Sequence, residues 1–374
     1  MTIPFNKPYL TGKETEYITQ AYAHLSGDGV FTKRCHLWLE TQTQTQKALL
    51  THSCTAALEM AALLLNIQQG DEVIMPAYTF VSTANAFVLR GAVPVFIDIR
   101  PDTLNMDENQ IIAAITPKTK AIVPVHYAGV ACEMDAILAI AKTYNLAVVE
   151  DAAQGFLATY KGRALGSLGD LGAYSFHETK NIIAGEAGAL LVNNPKFAAS
   201  AEVIREKGTN RSQFFRGEVD KYTWQQVGSS FLPNELTAAF LYAQLEQSSL
   251  ITTQRMSIWQ RYHRKFFPLE EAGYLKRPVI PEECEHNAHI YYLVLKDAQA
   301  RHELLGYLKQ RGIQAAFHYI PLHTSPAGMR YGRVSGELDN TERLAECMLR
   351  LPLWVGLTRE MQSEVVQAIE AFFE

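Results

Sequence analysis

The sequence predicts an α/β protein: a large domain built on a mostly parallel seven-stranded sheet, followed by a smaller C-terminal α+β domain. Three features of the chain carry this expectation. Between about residues 48 and 194 short β-rich runs alternate with helical patterns, which is how parallel sheets with crossover helices are written. From Asn234 to about Phe267 the pattern turns into long helices, and beyond it come Pro-containing strands such as Tyr291 to Leu295 and helices such as Arg301 to Arg311. At 374 residues the chain is long enough for two domains with a large core. The boundary is placed near residue 250, giving domains 1–250 and 251–374 with a long helix crossing between them.

In chain order, Ala48 to Thr51 is the first strand and Thr55 to Leu65 the helix after it. Strand Glu72 to Met75, helix Ser82 to Arg90 and strand Val93 to Asp98 follow. Strand Ala121 to His126 precedes helix Met134 to Tyr144, whose apolar residues fall at helical spacing. Strands Ala147 to Asp151, Gly172 to Phe176 and Ala189 to Asn193 complete the seven. Pro278, Pro281 and Glu282 to Glu285 read as a surface loop. Ligands of such sheets gather beyond the carboxyl ends of the strands, so motifs there carry most weight.

A formal charge of −5 with 48% hydrophobic residues is an ordinary globular composition, with no basic block to hold nucleic acid or an anionic membrane. The five cysteines are scattered and never spaced C-x-x-C, which fits reduced thiols rather than a disulfide framework or a zinc site. His318 and His323 have no carboxylate or cysteine near them in sequence, and no metal site is expected. Met1 to Lys7 lacks a signal-peptide layout, and the longest uncharged stretch, Val73 to Leu89, is too polar to span a bilayer. A cytoplasmic protein is expected.

Two strand ends bring chemistry together. One closes on Glu150-Asp151-Ala152-Ala153-Gln154, the other on Ser175-Phe176-His177-Glu178-Thr179-Lys180-Asn181. A lysine can form a Schiff base with an aldehyde cofactor, and pyridoxal phosphate also needs an acid opposite its ring nitrogen to make the ring an electron sink. A phosphate needs backbone N–H groups at a helix N-terminus, and Thr51-His52-Ser53-Cys54-Thr55 supplies a strand, a small-residue turn and a helix start. On this segment alone Ser53 reads first as a plain helix cap. Met75-Pro76-Ala77-Tyr78-Thr79-Phe80 offers aromatic rings for stacking, with Phe80 as core the alternative.

These four runs together resemble the DegT/DnrJ/EryC1/StrS family of nucleotide-sugar aminotransferases, over essentially the whole chain. The resemblance implies the fold type I aminotransferase fold and a homodimer with active sites at the subunit interface. It implies pyridoxal 5'-phosphate as cofactor, with Lys180 as the Schiff-base lysine, Asp151 against the ring nitrogen, Gln154 and Phe80 on the two faces of the ring, and Cys54, Thr55 and Ser175 on the phosphate. The runs Gly27 to Thr32, Arg205 to Phe214 and Phe317 to His323 resemble the branch of the family that acts in enterobacterial common antigen synthesis. That implies transfer of an amine from L-glutamate to the 4-keto group of a dTDP-linked 6-deoxy sugar, and it marks Asp28, Phe31, Arg211, His318 and Tyr319 as substrate-binding. Lys33 and Arg34 also lie in substrate-facing segments or are solvated surface charges. His177 either touches substrate or packs.

Two departures from the family pattern stand out. Gly228-Ser229-Ser230-Phe231-Leu232 replaces the common G-x-N-Y-R, so Ser230 takes the place of an asparagine that reaches the phosphate from the partner subunit. Gly185-Glu186-Ala187-Gly188 replaces G-E-G-G. Rival readings are an aminotransferase for another nucleotide-linked keto-sugar, a pyridoxal-dependent sugar dehydratase, a dinucleotide-dependent oxidoreductase and a non-catalytic sugar-nucleotide binding protein. The dehydratase relatives carry histidine where Lys180 stands here, and the glycine pattern beginning at Gly27 has no third glycine at Thr32.

Overall fold

The computed structural model describes residues 2–374. Its strands are β1 (Lys47–Thr51), β2 (Glu72–Pro76), β3 (Val93–Ile97), β4 (Thr119–Ile122), β5 (Ala147–Asp151), β6 (Thr159–Tyr160), β7 (Arg163–Ala164), β8 (Leu171–Ser175), β9 (Gly188–Val192), β10 (Leu275–Lys276), β11 (Cys284–Glu285), β12 (Tyr291–Leu295), β13 (Arg333–Val334) and β14 (Met348–Leu351). Successive side chains of a strand point to opposite faces, and in the large sheet both faces are apolar. Leu49, Val73, Ala121 and Val149 fill one core, while their neighbours Leu50, Ile74, Ile122 and Val148 fill the other. A sheet buried on both sides needs helices on both sides, and the crossover helices supply them.

The large sheet runs β1-β9-β8-β5-β4-β2-β3-β13. Only β9 is reversed: it pairs antiparallel with both β1 and β8, and the other pairs are parallel. Antiparallel neighbours need no crossover helix. β8 therefore returns to β9 through an irregular loop, Phe176 to Ala187, which holds Lys180 over the sheet end. All seven expected strands are in this sheet, but it has eight. The eighth, β13, comes from far down the chain and is fastened to the edge by Arg333, whose Nε and Nη2 donate to Glu72 Oε1 and Oε2 at 2.9 and 2.8 Å. The strand expected over Ala121 to His126 ends at Ile122, and Val123 to His126 continues as irregular backbone. Cys284 and Glu285, read as loop, pair with Tyr160 and Thr159.

The expected long helix is two, Glu235–Glu246 and Ser248–Lys265, meeting at Gln247. The first packs on helices Glu14–Ala21 and Val30–Thr43, the second on the terminal helix Arg359–Phe373. The third core gathers around β10, β12 and β14, the second small sheet being β11-β6-β7. Two features tie this region to the rest: Ile3 bridges to Ile313 inside the third core, and Asp98 at the end of β3 accepts hydrogen bonds from Asn340 N (3.0 Å), Thr341 N (2.7 Å) and Thr341 Oγ1 (2.7 Å) at the start of helix Asp339–Cys347. Among the described residues no helix is long and apolar enough to cross a membrane.

Candidate active site

A cavity of ≈ 510 Å³ opens beyond the carboxyl ends of the central strands. Asp151, the last residue of β5, is 5% exposed and accepts from Thr83 Oγ1 at 2.7 Å and from Ala153 N at 3.2 Å. Thr83 is in turn bonded to Thr79 Oγ1 at 2.8 Å. The carboxylate is thus fixed in one orientation with its face to the cavity. Ser175 ends β8, and His177 and Lys180 follow in the loop, closed by a Lys180 N to His177 O hydrogen bond of 2.9 Å. Burial lowers the Lys180 pKa, and the nearby Arg350 charge lowers it further, against the opposing pull of Cys54 and Asp151.

The helix Cys54–Leu64 begins at the same cavity. Ser53 caps it, its Oγ accepting from Ala56 N at 3.1 Å, so the plain-cap reading of that side chain holds. Thr55 Oγ1 and Ser82 Oγ lie 2.7 Å apart on the wall. The backbone of β9 touches this helix start: a Cβ on Gly188 would lie 2.4 Å from Cys54 N, so only glycine fits there. The sequence change in this loop falls instead on Ala187, which is buried without strain. Burial raises the Cys54 thiol well above its ordinary value, which favours the neutral form.

Gln154 is locked between two partners, its Oε1 accepting from Ala128 N at 2.8 Å and its Nε2 donating to the Tyr319 hydroxyl at 3.2 Å. Phe80 is no core residue: it is 56% exposed on the cavity wall, with its ring 6.2 Å from that of Tyr319. His318 stacks on Tyr319 at 4.1 Å and bonds through Nε2 to the Tyr127 hydroxyl at 2.8 Å. Burial and the neighbouring Arg350 and Lys180 charges hold His318 well below the ordinary imidazole range. His177 side chain is 39% exposed, its Nδ1 accepting from Thr179 N at 3.2 Å, and its Nε2 lies 3.5 Å from Glu186 at the cavity mouth.

The cavity thus brings together Cys54, Thr55, Phe80, Asp151, Gln154, Ser175, His177, Lys180, His318 and Tyr319. Four expected site residues lie elsewhere. Phe31 is a core residue, 3% exposed between Tyr17 and Tyr242 at 5.3 and 6.1 Å; an apolar ring in a helix facing other helices buries itself. Asp28 takes Arg205 Nη1 at 2.7 Å, Arg211 pairs with Glu206 at 3.0 Å, and Ser230 bridges to Glu206 by its backbone. The side chains of Asp28 and Arg211 are 38% and 45% exposed. Of the flanking cations, Arg34 lies over the Phe31 ring at 5.3 Å. His323 pairs with Glu342 at 3.1 Å.

Sequence reasoning missed several residues. Phe5, Asn6, Arg255, His289 and Arg350 all line the cavity. The signal for Arg350 was present as a cation inside the apolar run Met348-Leu349-Arg350-Leu351. Glu235 was missed too, and it shapes the Gly27 to Thr32 segment. This carboxylate, 1% exposed, accepts from the backbone N–H groups of Gly29, Phe31 and Thr32 at 3.0, 2.9 and 3.1 Å and from the Thr32 hydroxyl. It satisfies the orphan donors of helix Val30–Thr43, which has no side-chain cap of its own. Glu235→Ala leaves those donors unpaired, and a loss of about 2–3 kcal/mol of stability is expected by urea unfolding. A loss below about 0.5 kcal/mol would mean that water replaces the carboxylate.

Comparison with known proteins agrees with this geometry. The model of the DegT/DnrJ/EryC1/StrS aminotransferase family matches residues 13–370. The chain is 32% identical over 376 residues to the spore coat polysaccharide biosynthesis protein SpsC of Bacillus subtilis, covering 98% of this chain and 96% of that protein. Among solved structures it superposes on the aminotransferase TlmJ from Streptoalloteichus hindustanus with a TM-score of 0.91 at 28% identity, covering 100% of this chain and 99% of the other. DesV of S. venezuelae, solved in complex with a ketimine intermediate, gives a TM-score of 0.90 at 28% identity over 100% and 99% of the two chains. The fold is the fold type I aminotransferase fold, with the large mostly parallel sheet and smaller C-terminal sheets described above. A lysine and a fixed carboxylate facing one cavity at the ends of such a sheet, in a chain matched by the family model almost from end to end, place this protein in the DegT/DnrJ/EryC1/StrS aminotransferase family.

Proposed function

We propose that the protein transfers the amino group of L-glutamate to the 4-keto carbon of dTDP-4-dehydro-6-deoxy-D-glucose, giving dTDP-4-amino-4,6-dideoxy-D-galactose and 2-oxoglutarate, with pyridoxal 5'-phosphate as cofactor. The reading places the enzyme in the synthesis of enterobacterial common antigen. The observation that carries the transamination is the pairing across one cavity of Lys180, its pKa lowered by burial, with Asp151, fixed by Thr83; the choice of sugar and nucleotide rests on the resemblance of the runs Gly27 to Thr32, Arg205 to Phe214 and Phe317 to His323.

The residues fit the cofactor. No protein acceptor takes the backbone N–H groups of Cys54 or Thr55 in the first turn of helix Cys54–Leu64, among the described residues, and they stand beside the hydroxyls of Thr55, Ser82 and Ser175 as a cradle for a phosphate. Asp151 would meet the ring nitrogen, Phe80 and Gln154 would flank the ring, and Lys180 would carry the aldehyde carbon. When bound, the cofactor supplies an electron sink for the carbon that bears the amine.

The chain's own groups do the rest. Lys180 Nζ, its pKa lowered by burial, is poised to take the proton from the donor's α-carbon and to return a proton at its own Nζ. Asp151 holds positive charge opposite its carboxylate. Tyr319, His318 and His177 border the opening where a substrate sits, and Tyr127 and Gln154 fix the first two of these. In a homodimer Asp28, Arg211 and Ser230, on the surface of this chain and off its own cavity, would complete the partner's site, with Ser230 a shorter donor to the phosphate than an asparagine. Exposed aromatic side chains close to them in sequence, among them Phe215 at 69% and Trp224 at 78%, support that face as the subunit contact.

The test is the acceptor half-reaction. Enzyme loaded with pyridoxamine phosphate is mixed with dTDP-4-dehydro-6-deoxy-D-glucose, and the sugar is analysed by mass and NMR. A product carrying a 4-amine in the galacto configuration is expected. Conversion of a UDP- or GDP-linked keto-sugar in its place would move the assignment to another nucleotide.

A further inference from the structure

His289 lies on the cavity wall just ahead of β12, 6% exposed, with its ring held by a chain of amides. Asn287 Nδ2 donates to the Gln154 and Phe156 carbonyls, both at 2.8 Å, so its Oδ1 is the atom that accepts from His289 N at 3.0 Å. Asn181, the residue after Lys180, donates from Nδ2 to the Asn287 carbonyl at 2.8 Å. That bond turns its Oδ1 to His289 Nδ1, 3.0 Å away.

The order of donors settles the state of the imidazole. An amide oxygen only accepts, so Nδ1 carries the ring proton and gives it to Asn181, and Nε2 keeps a bare lone pair. Burial and the charges of Lys180, Arg255 and Arg350 oppose a second proton and hold His289 well below the ordinary imidazole range. The ring is therefore a neutral acceptor among cations. Unlike His263 Nδ1, which is shut off from solvent without a partner, Nε2 opens on the cavity.

The cations around it are not equally free. Arg255 gives Nε and Nη2 to the Ala288 and His289 carbonyls at 3.2 and 2.7 Å. Arg350 gives Nη1 to His318 Nδ1 at 2.9 Å, and its Nε is shielded from solvent. Of the lysine and arginines on the wall, Lys180 alone makes no side-chain hydrogen bond among the described residues. It is also the one coupled to His289 by the chain itself, because its neighbour Asn181 holds the ring.

We propose that His289 is the positioning residue for the Lys180 base, its Nε2 accepting a hydrogen bond from the amine once the amino donor has displaced it. The proposal deepens the transaminase reading and rests on it. A free lysine amine on its four-carbon stem turns among many rotamers, and only those that aim the nitrogen lone pair at the donor's α-carbon are productive. One N–H held by His289 leaves the lone pair directed to one side. When the α-C–H bond breaks and its proton forms a new N–H bond at Nζ, the imidazole keeps its own proton and goes on accepting from the ammonium.

Two substitutions separate the anchor from the acceptor. His289→Asn places an amide nitrogen where Nδ1 stands, keeping the bond to Asn181 and losing the acceptor, whereas His289→Gln brings an amide oxygen to the place of Nε2. Wild-type and variant enzymes loaded with pyridoxal phosphate are mixed with L-glutamate or its α-deuterated form, and the donor half-reaction is followed by absorbance. His289→Asn is expected to slow the saturated rate about 10–100-fold and to raise the deuterium isotope effect, with the glutamate half-saturation changed less than about 3-fold. His289→Gln should recover most of the rate. Unchanged rate and isotope effect in His289→Asn overturn the proposal. So does a change confined to half-saturation by glutamate or by the keto-sugar nucleotide, which would put Nε2 on a substrate, and so does an equal loss in both variants, which would leave His289 a structural role alone.

The second readout needs neither cofactor nor turnover. Nitrogen NMR of cofactor-free protein labelled in its histidines, with the His289 signals identified by their loss in His289→Gln, reports the tautomer. A proton on Nδ1 and a bare Nε2 are expected near neutral pH; a proton on Nε2 overturns the proposal whether or not His289→Asn folds. If Nε2 is bare but wild-type enzyme shows no absorbance change with any amino donor, the transaminase reading fails instead.

Discussion

Lys180→Ala is expected to lower amine transfer by at least about 10³-fold, because in the proposed function one side chain both carries the cofactor and moves the proton. Among the described residues no second lysine lines the cavity, so no neighbouring amine of this chain takes over. The variant should still fold and still bind cofactor, since the helix start at Cys54 and the Asp151 carboxylate are untouched; thermal unfolding and the absorbance of the loaded protein check both. The pH profile of the wild-type donor half-reaction tests the same residue. An amine acts as base only when unprotonated, and burial holds the Lys180 pKa below the ordinary lysine value of 10.5. The rate should therefore rise with pH and level off below that value. A rise continuing to the ordinary lysine range would show that burial is not setting the base. Turnover of Lys180→Ala within 10-fold of wild type would remove Lys180 from the mechanism.

Asp151→Asn should depress both half-reactions by about 10²-fold or more while leaving the fold intact. The amide keeps the shape and can still accept from Thr83 Oγ1, now at 2.7 Å, but it has no charge to set against a protonated ring nitrogen. Loss in both half-reactions is the distinguishing sign, because an electron sink is needed in each direction, whereas a donor-binding defect affects one. Near-normal rates would mean that another group serves the ring nitrogen.

How much of this was legible in the sequence follows from the range of each interaction. The strands and the chemistry at their ends were readable because an apolar run followed by Glu150-Asp151 or by His177 to Lys180 is local: strand and functional residue lie within a few positions of each other. β13 was not, since two residues carry no periodicity, and it is strand only because β3 and the Arg333–Glu72 ion pair hold it there. Arg350 and Arg255 were missed for the related reason that their distance from Lys180 is set by how the C-terminal core docks, not by spacing along the chain. Phe31 shows the opposite error. It was marked by the run around it, yet Tyr17 and Tyr242 enclose the ring, and what that run contributes to order is its backbone, held by Glu235 from more than two hundred positions away. Asp28 and Arg211 are engaged within this chain, by Arg205 and by Glu206, and off its own cavity.

The most direct test of the central claim, that Lys180 and Asp151 define one cofactor-bearing cavity, is chemical trapping. The protein is loaded with pyridoxal phosphate, reduced with borohydride and mapped by peptide mass spectrometry. The account predicts stoichiometric labelling of Lys180, prevented when L-glutamate is added before the reductant and absent in Lys180→Ala. Labelling of another lysine, or none above the level found in unfolded protein, would contradict it.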